Sequence, residues 1–268
     1  MKKTLVIFFI TFSMIILGYT ITATINPYYL LLKDLAGNKM EIFLLIKPGA
    51  NPHLYSPKIS DVKKMNSSDL IIANGLELEP YIKNNNKVFY VSKFIPEMFI
   101  IDNNPHIWLN PFFAKYYIIP GITKKLIDID PENKVYYLNR AKSIINNLDA
   151  IIKELYEFLG KFQDSKVLVE HPSFYYFFNE FGIRSIPLES GHGKEVSIKN
   201  IIEILKKGEN LVAIFGEAQQ NTRSLKIISK ELQKKYYILD PLGNNAKNYV
   251  DIFLNNLKII KEAFSYAK

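Results

Sequence analysis

Cysteine is absent from the 268-residue chain. Disulfides and thiolate metal sites are therefore excluded, and so is a lipid-modified cysteine near the N-terminus. Histidine is scarce, with four residues, and tryptophan occurs once. The formal net charge of +8 is modest, and its lysines are spread along the chain rather than clustered. They read as a solvated surface, and with no nucleic-acid motif present, nucleic acid is not an expected partner. What is there is globular: 48% hydrophobic and 22% charged residues. The length suits one large domain or two small ones, each able to bury a core.

Lys2 and Lys3 precede an apolar run, Leu5–Leu17. This is the pattern of a secretory signal peptide, although no clean A-x-A cleavage site follows. Counted together with Tyr19–Ile25, the stretch approaches the roughly 20 residues that span a bilayer. The segment is either removed or kept as an anchor. In both cases the remainder is expected outside the cytoplasmic membrane.

From there, short strand-like runs alternate with helical patterns. Tyr19–Ile25, Met40–Ile46, Asp69–Ala73 and Val88–Val91 read as strands. Helices are expected from Asn26-Pro27 to Gly37 and from Ser56-Pro57 to Asn66, with a short one over Leu78–Lys83 and another starting at Asn110-Pro111. The longest periodic stretch, Pro131–Phe162, carries Tyr137, Ala141, Ile144, Leu148, Ile151, Leu155 and Phe158 at three- and four-residue steps. A helix of about 30 residues is roughly 45 Å long, more than one small domain needs, so it is read as a backbone joining two lobes. The second half repeats the theme. Strands are expected over Lys166–Glu170, Ile183–Leu188, Leu211–Phe215 and Tyr236–Leu239. Helices are expected over Ser173–Phe181, Ser197–Lys207, Asn221–Lys234 and Tyr249–Phe264. The aromatic cluster Phe174–Phe178 reads as core. The alternation implies parallel sheets with helices on their faces, an α/β architecture of two Rossmann-like lobes.

Three of the four histidines follow predicted strands. His53 sits in the loop KPGANPHLYSP, where Gly49 supplies unusual dihedrals and Pro48 and Pro52 stiffen the chain. His106 lies in NNPHIWLNP, and His171 ends Lys166–Glu170. Asp240 occupies the same kind of position after Tyr236–Leu239. Open α/β sheets bind ligands in the crevice at these strand ends. Three imidazoles and a carboxylate suit zinc. Against this, a single histidine is more often packed or superficial, and no local zinc motif such as H-E-x-x-H is present.

PGANPHLYSPKISDVKKMNSSDLIIANGLELEPYI, NPHIWLNP, EHPSFYYFFNEFGI and LDPLG together resemble, in order, four ligand stretches of a known family. It is that of the substrate-binding proteins of zinc and manganese ABC transporters. The resemblance covers nearly the whole chain after the N-terminal segment. It implies His53, His106, His171 and Asp240 as metal ligands. It also implies a division into an N-terminal segment (1–18), an N-terminal lobe (19–129), a linking helix (130–162) and a C-terminal lobe (163–268). Similar proteins for manganese usually carry Glu where His171 stands, so zinc is favoured over manganese. Asn51 and Asn110 replace aspartates common in the family's stretches, and the family's histidine- and acid-rich loop is absent. Glu217, in IFGEAQ, is an auxiliary candidate or a structural bond to a helix terminus. His192, in the Gly-rich loop SGHGKEV, is an auxiliary candidate or a surface residue. The implied activity is capture, not catalysis. Four protein ligands leave no open position for an activated water, and the loaded monomer would dock on a membrane permease. A binding protein for a metal chelate on the same architecture, and a secreted zinc hydrolase, are the alternative readings.

Overall fold

The alternating pattern closes, in a computed structural model, into two four-stranded parallel sheets. The structure describes residues 18–82, 85–189, 198–207 and 211–265. The first lobe runs β1 (Thr20–Ala23), α1 (Asn26–Ala36), β2 (Glu41–Leu44), α2 (Ile59–Ser67), β3 (Leu70–Ala73) and β4 (Val88–Tyr90). A helical stretch follows: α3 (Pro111–Phe113), a π-helical turn over Ala114–Ile118, and α4 (Ile119–Ile129). Then comes the long α5 (Lys134–Leu159), flanked by 3₁₀ turns at Pro131–Asn133 and Gly160–Phe162. The second lobe contains β5 (Lys166–Val169), α6 (Tyr175–Glu180), β6 (Arg184–Pro187), α7 (Ile198–Lys207), β7 (Leu211–Glu217), α8 (Arg223–Glu231), β8 (Tyr236–Leu239) and α9 (Tyr249–Ser265).

Strand order is β2-β1-β3-β4 in one sheet and β6-β5-β7-β8 in the other, so the lobes repeat one topology. In each, the order reverses between the two central strands, and that switch point opens a crevice at their carboxyl ends. β3 reads LIIA and is buried throughout, as a central parallel strand should be. Its period of two divides it: Leu70 and Ile72 face the main core, while Ile71 and Ala73 face a smaller cluster with Leu45, Met65 and Ile82. β5 divides likewise, Val167 and Val169 to the main core and Leu168 to a cluster with Ile214 and Leu225.

The main core is continuous across both lobes. α5 supplies much of it, because Tyr137, Ala141, Ile144, Leu148, Ile151 and Leu155 form one buried stripe, as the spacing predicts. Its 26 residues span about 39 Å at the usual rise. Phe158 differs slightly: it is only partly buried, packed against the edge of this core.

The helix expected over Leu78–Lys83 does not form among the described residues, and the chain turns there instead. Gly75, Leu76 and Glu77 all adopt positive φ, at 85°, 54° and 61°. The buried Glu79 carboxylate accepts the Asn74 and Gly75 backbone N–H groups and the Thr24 hydroxyl. Side-chain capture of the backbone outcompetes a helical turn here. β7 runs two residues past its expected end, which places Glu217 inside the strand. The Gly-rich loop with His192, and the N-terminal residues 1–17, lie outside the described residues.

Leu155 is fully buried where α5 meets the shared core. Leu155→Ala is expected to cost about 2–5 kcal/mol, read as a lowered midpoint in denaturant unfolding of the metal-free protein.

Candidate metal centre

The site is built from loops that leave the strand ends. After β2, the Asn51 side chain accepts the His53 backbone N–H at 2.9 Å and starts a short 3₁₀ turn, Pro52–Leu54. Gly49, at φ 86°, has the left-handed backbone its place requires. Its N–H donates to Asn244 Oδ1 of the other lobe at 2.7 Å. The Tyr55 hydroxyl donates to Asp61, which also caps α2 through the Lys58 N–H, so the loop is tied at both ends.

His106 is set by a chain of buried amides. Asn74, directly after β3, takes the Tyr28 hydroxyl on its Oδ1 and donates its Nδ2 to the Pro105 carbonyl at 2.8 Å. Asn104 Oδ1 accepts both the His106 backbone N–H, at 3.0 Å, and Nδ1 of the same ring, at 2.7 Å. The ring's Nδ1 therefore carries the proton, and Nε2 presents a lone pair. Trp108 lies beside this ring and donates its indole N–H to the Pro241 carbonyl at 2.8 Å.

His171 follows β5. Its Nδ1 bonds the buried carboxylate of Glu189, which again leaves Nε2 pointing inward. His106 Nε2 lies 3.1 Å from His53 Nε2 and 3.1 Å from His171 Nε2. The ligand nitrogens of all three rings lie within 4.8 Å of one another. Two nitrogens bound tetrahedrally at about 2.0–2.1 Å to zinc are about 3.3 Å apart, so this spacing is near that of a ligand set. The cavity they line holds about 20 Å³, room for roughly one water-sized species.

Asp240 directly follows β8 and is half-buried. Its carboxylate is engaged by its own loop and by Gln219. Oδ1 accepts Gln219 Nε2 at 3.0 Å and the Leu242 N–H at 3.3 Å, and Oδ2 accepts the Asn244 N–H at 2.6 Å. Among the described residues, the convergent group is the three histidines without Asp240. Its neighbours Pro241 and Leu242 line the same cavity. Glu217 also lines it, while accepting the Ser173 hydroxyl at the start of the turn that follows His171. That turn is the 3₁₀ segment Pro172–Phe174.

Three buried glutamates, Glu170, Glu189 and Glu217, surround His171. All three belong to the C-terminal lobe. Burial would depress the His171 pKa, but the bond to Glu189 and the nearby carboxylates outweigh it and hold the ring above its ordinary range. Burial pushes Glu217 up to about 7. Burial, reinforced by the Glu217 charge, pushes Glu170 up to about 8. Sequence reasoning misses Glu170, Glu189 and Asn104. Glu170 directly precedes His171 and Asn104 stands two residues before His106, so both are readable from the chain, whereas Glu189 has no local signal.

A carboxyl whose pKa rises on folding holds a proton that the unfolded chain has released, so stability is full at low pH and declines as pH rises. The metal-free protein is accordingly expected to lose stability between about pH 5 and pH 8. Glu170→Gln should flatten that slope in melting-temperature measurements across the range. An unchanged slope would show that Glu170 titrates normally.

Residues 21–263 match the family described as the periplasmic zinc-uptake complex component A, ZnuA. A "putative metal-binding protein" of Thermotoga maritima is 46% identical over 265 residues, covering 98% of this chain and 99% of that protein. The metal ABC transporter substrate-binding lipoprotein SsaB of Streptococcus sanguinis is 28% identical, over 87% of this chain and 85% of that protein. Among solved structures, one of ZnuA superposes with a TM-score of 0.80 at 25% identity, over 92% of this chain and 99% of the other. The two-lobed fold, the sequence match across nearly all of the described residues and the close full-length relative agree: this chain belongs to the ZnuA family of metal-transport substrate-binding proteins.

Proposed function

We propose that this protein captures a divalent transition-metal ion, zinc in preference to manganese, outside the cytoplasmic membrane and delivers it to an ABC-transporter permease. The observation that carries this is the convergence of His53, His106 and His171 Nε2 atoms from both lobes, at 3.1 Å for two of the three pairs. Imidazole nitrogens suit zinc, whereas manganese favours oxygen-rich shells. Asp240 is the proposed fourth ligand, its carboxylate swinging from Gln219 into the cavity its neighbours line; a ligating carboxylate commonly keeps such hydrogen bonds. A cavity of about 20 Å³ favours a bare ion over a chelate.

The chemistry is exchange of a proton for a metal. With Nδ1–H groups turned outward, lone pairs on His106 and His171 face each other at 3.1 Å. A proton on His171 relieves that repulsion, and a dication displaces it. The N-terminal apolar segment directs the chain across the membrane and is then either removed or retained.

Calorimetric titration of the metal-stripped protein from Tyr19 onward should give one tight zinc site per chain, with manganese weaker. His171→Ala should lose or severely weaken it. Absence of zinc binding by the unaltered chain would overturn the proposal. Because ligation needs neutral imidazoles, zinc affinity should fall as pH is lowered, starting above the ordinary histidine range of about 6.5. Binding heats in buffers of different ionisation enthalpy should reveal proton release; heats independent of buffer would contradict the exchange.

A further inference from the structure

Asn104 makes a third side-chain bond, away from the His106 ring. Its Nδ2 donates to the Pro172 carbonyl at 3.0 Å, across the cleft. Pro172 directly follows His171, and Asn104 stands two residues before His106. One side chain, 5% exposed, thus touches the segments that carry both buried ligands. Its orientation is fixed twice over. The His106 backbone N–H and the outward Nδ1–H both require an oxygen, and the Pro172 carbonyl requires a donor. Rotating the amide would oppose two oxygens across the cleft and two hydrogen-bearing nitrogens beside the ring.

We infer that Asn104 is a positioning residue that yokes His106 of the first lobe to His171 of the second, setting the spacing of their Nε2 atoms before the metal arrives. Only an amide can do this from here. A carboxylate would orient His106 equally well, yet it would place negative charge against a carbonyl oxygen and lack the donor. A second bond supports the same seam. Tyr176, in α6 of the second lobe, accepts the Ile101 N–H at 3.2 Å and donates its hydroxyl to the Asn104 carbonyl at 2.9 Å. Backbone and side chain of Asn104 are therefore both held by the opposite lobe. Preformed ligand spacing removes an ordering cost that the metal would otherwise bear. The inference rests on the metal-capture reading for its effect on affinity, but not for the yoke itself.

The test compares Asn104→Asp with Asn104→Ala in the soluble chain, by zinc competition against a chromophoric chelator and by the visible spectrum of the cobalt-loaded protein. If Asn104 served only to orient His106, the aspartate variant would bind zinc as tightly as the unaltered chain or more tightly, and only the alanine variant would weaken. A yoke predicts that both weaken, by about 10- to 100-fold, with an altered cobalt spectrum in each. Unchanged or tighter binding in Asn104→Asp overturns it. Hydrogen exchange of the metal-free proteins gives a readout independent of metal. Amides of 104–110 and 173–178 should exchange faster in Asn104→Asp while α5 and both sheets keep their protection; unchanged exchange in those segments also overturns the yoke. Should the unaltered chain fail to bind zinc, the capture reading fails, and exchange still decides the yoke. If Asn104→Asp does not fold, Asn104→Ala, which removes the Pro172 bond without adding charge, is expected to show the same faster exchange over 173–178, and its absence overturns the inference.

Discussion

Three imidazoles, two tethered outward through Nδ1 and one through its backbone, gather their Nε2 atoms to a point. Ring nitrogens 3.1 Å apart must have a proton or another positive centre between them. Every other feature of the site can be read as what it takes to hold that arrangement in place. Asn104 and Glu189 fix which nitrogen of His106 and His171 faces inward. Asn74, Asn51 and Tyr55 fix the loops. The continuous core beneath, anchored on α5, keeps the two lobes from relaxing apart. The site is thus paid for by the fold: packing of apolar surface holds polar groups where they would not gather by themselves.

The lobes are held together by polar contacts at the crevice as well as by the core below it. Trp108 reaches Pro241, Tyr249 reaches back to the Trp108 carbonyl, and Asn26 donates to the Leu242 and Gly243 carbonyls. Each ends on backbone of a loop that carries or adjoins a candidate ligand. The stretch from Asn104 to Trp108 therefore works as a hub, in contact with the loops that follow β5 and β8 of the second lobe. With α5 and α9 crossing between lobes, wide hinge opening would break buried bonds on several sides.

Much of this was readable in the chain. Periodicity of two and of three to four residues located every strand and nearly every helix, because those runs are buried on defined faces. The helix expected over Leu78–Lys83 failed where Glu79 captured the backbone, a tertiary event with no local signature. His53, His106 and His171 were legible as strand-end residues in a chain with few histidines, and the family's ordered stretches raised them above chance. Asp240 was legible in the same way, but which atoms its carboxylate would meet was not, since Gln219 and Asn244 come from turns whose closure depends on the surrounding loops. Glu189 belongs to the same class: its partner lies in another strand-end loop, and sheet register, not spacing, brings them together.

The three histidines are not equally deep. His106 and His171 are 3% and 1% exposed, whereas His53 is half-buried on a surface turn whose next residue, Leu54, is 71% exposed. A site graded in this way has a front and a back. The inner pair forms its floor, and the outer imidazole stands at its mouth. On the proposed ligand set, a partner surface approaching the crevice would reach the His53 ring first, through the turn that exposes Leu54.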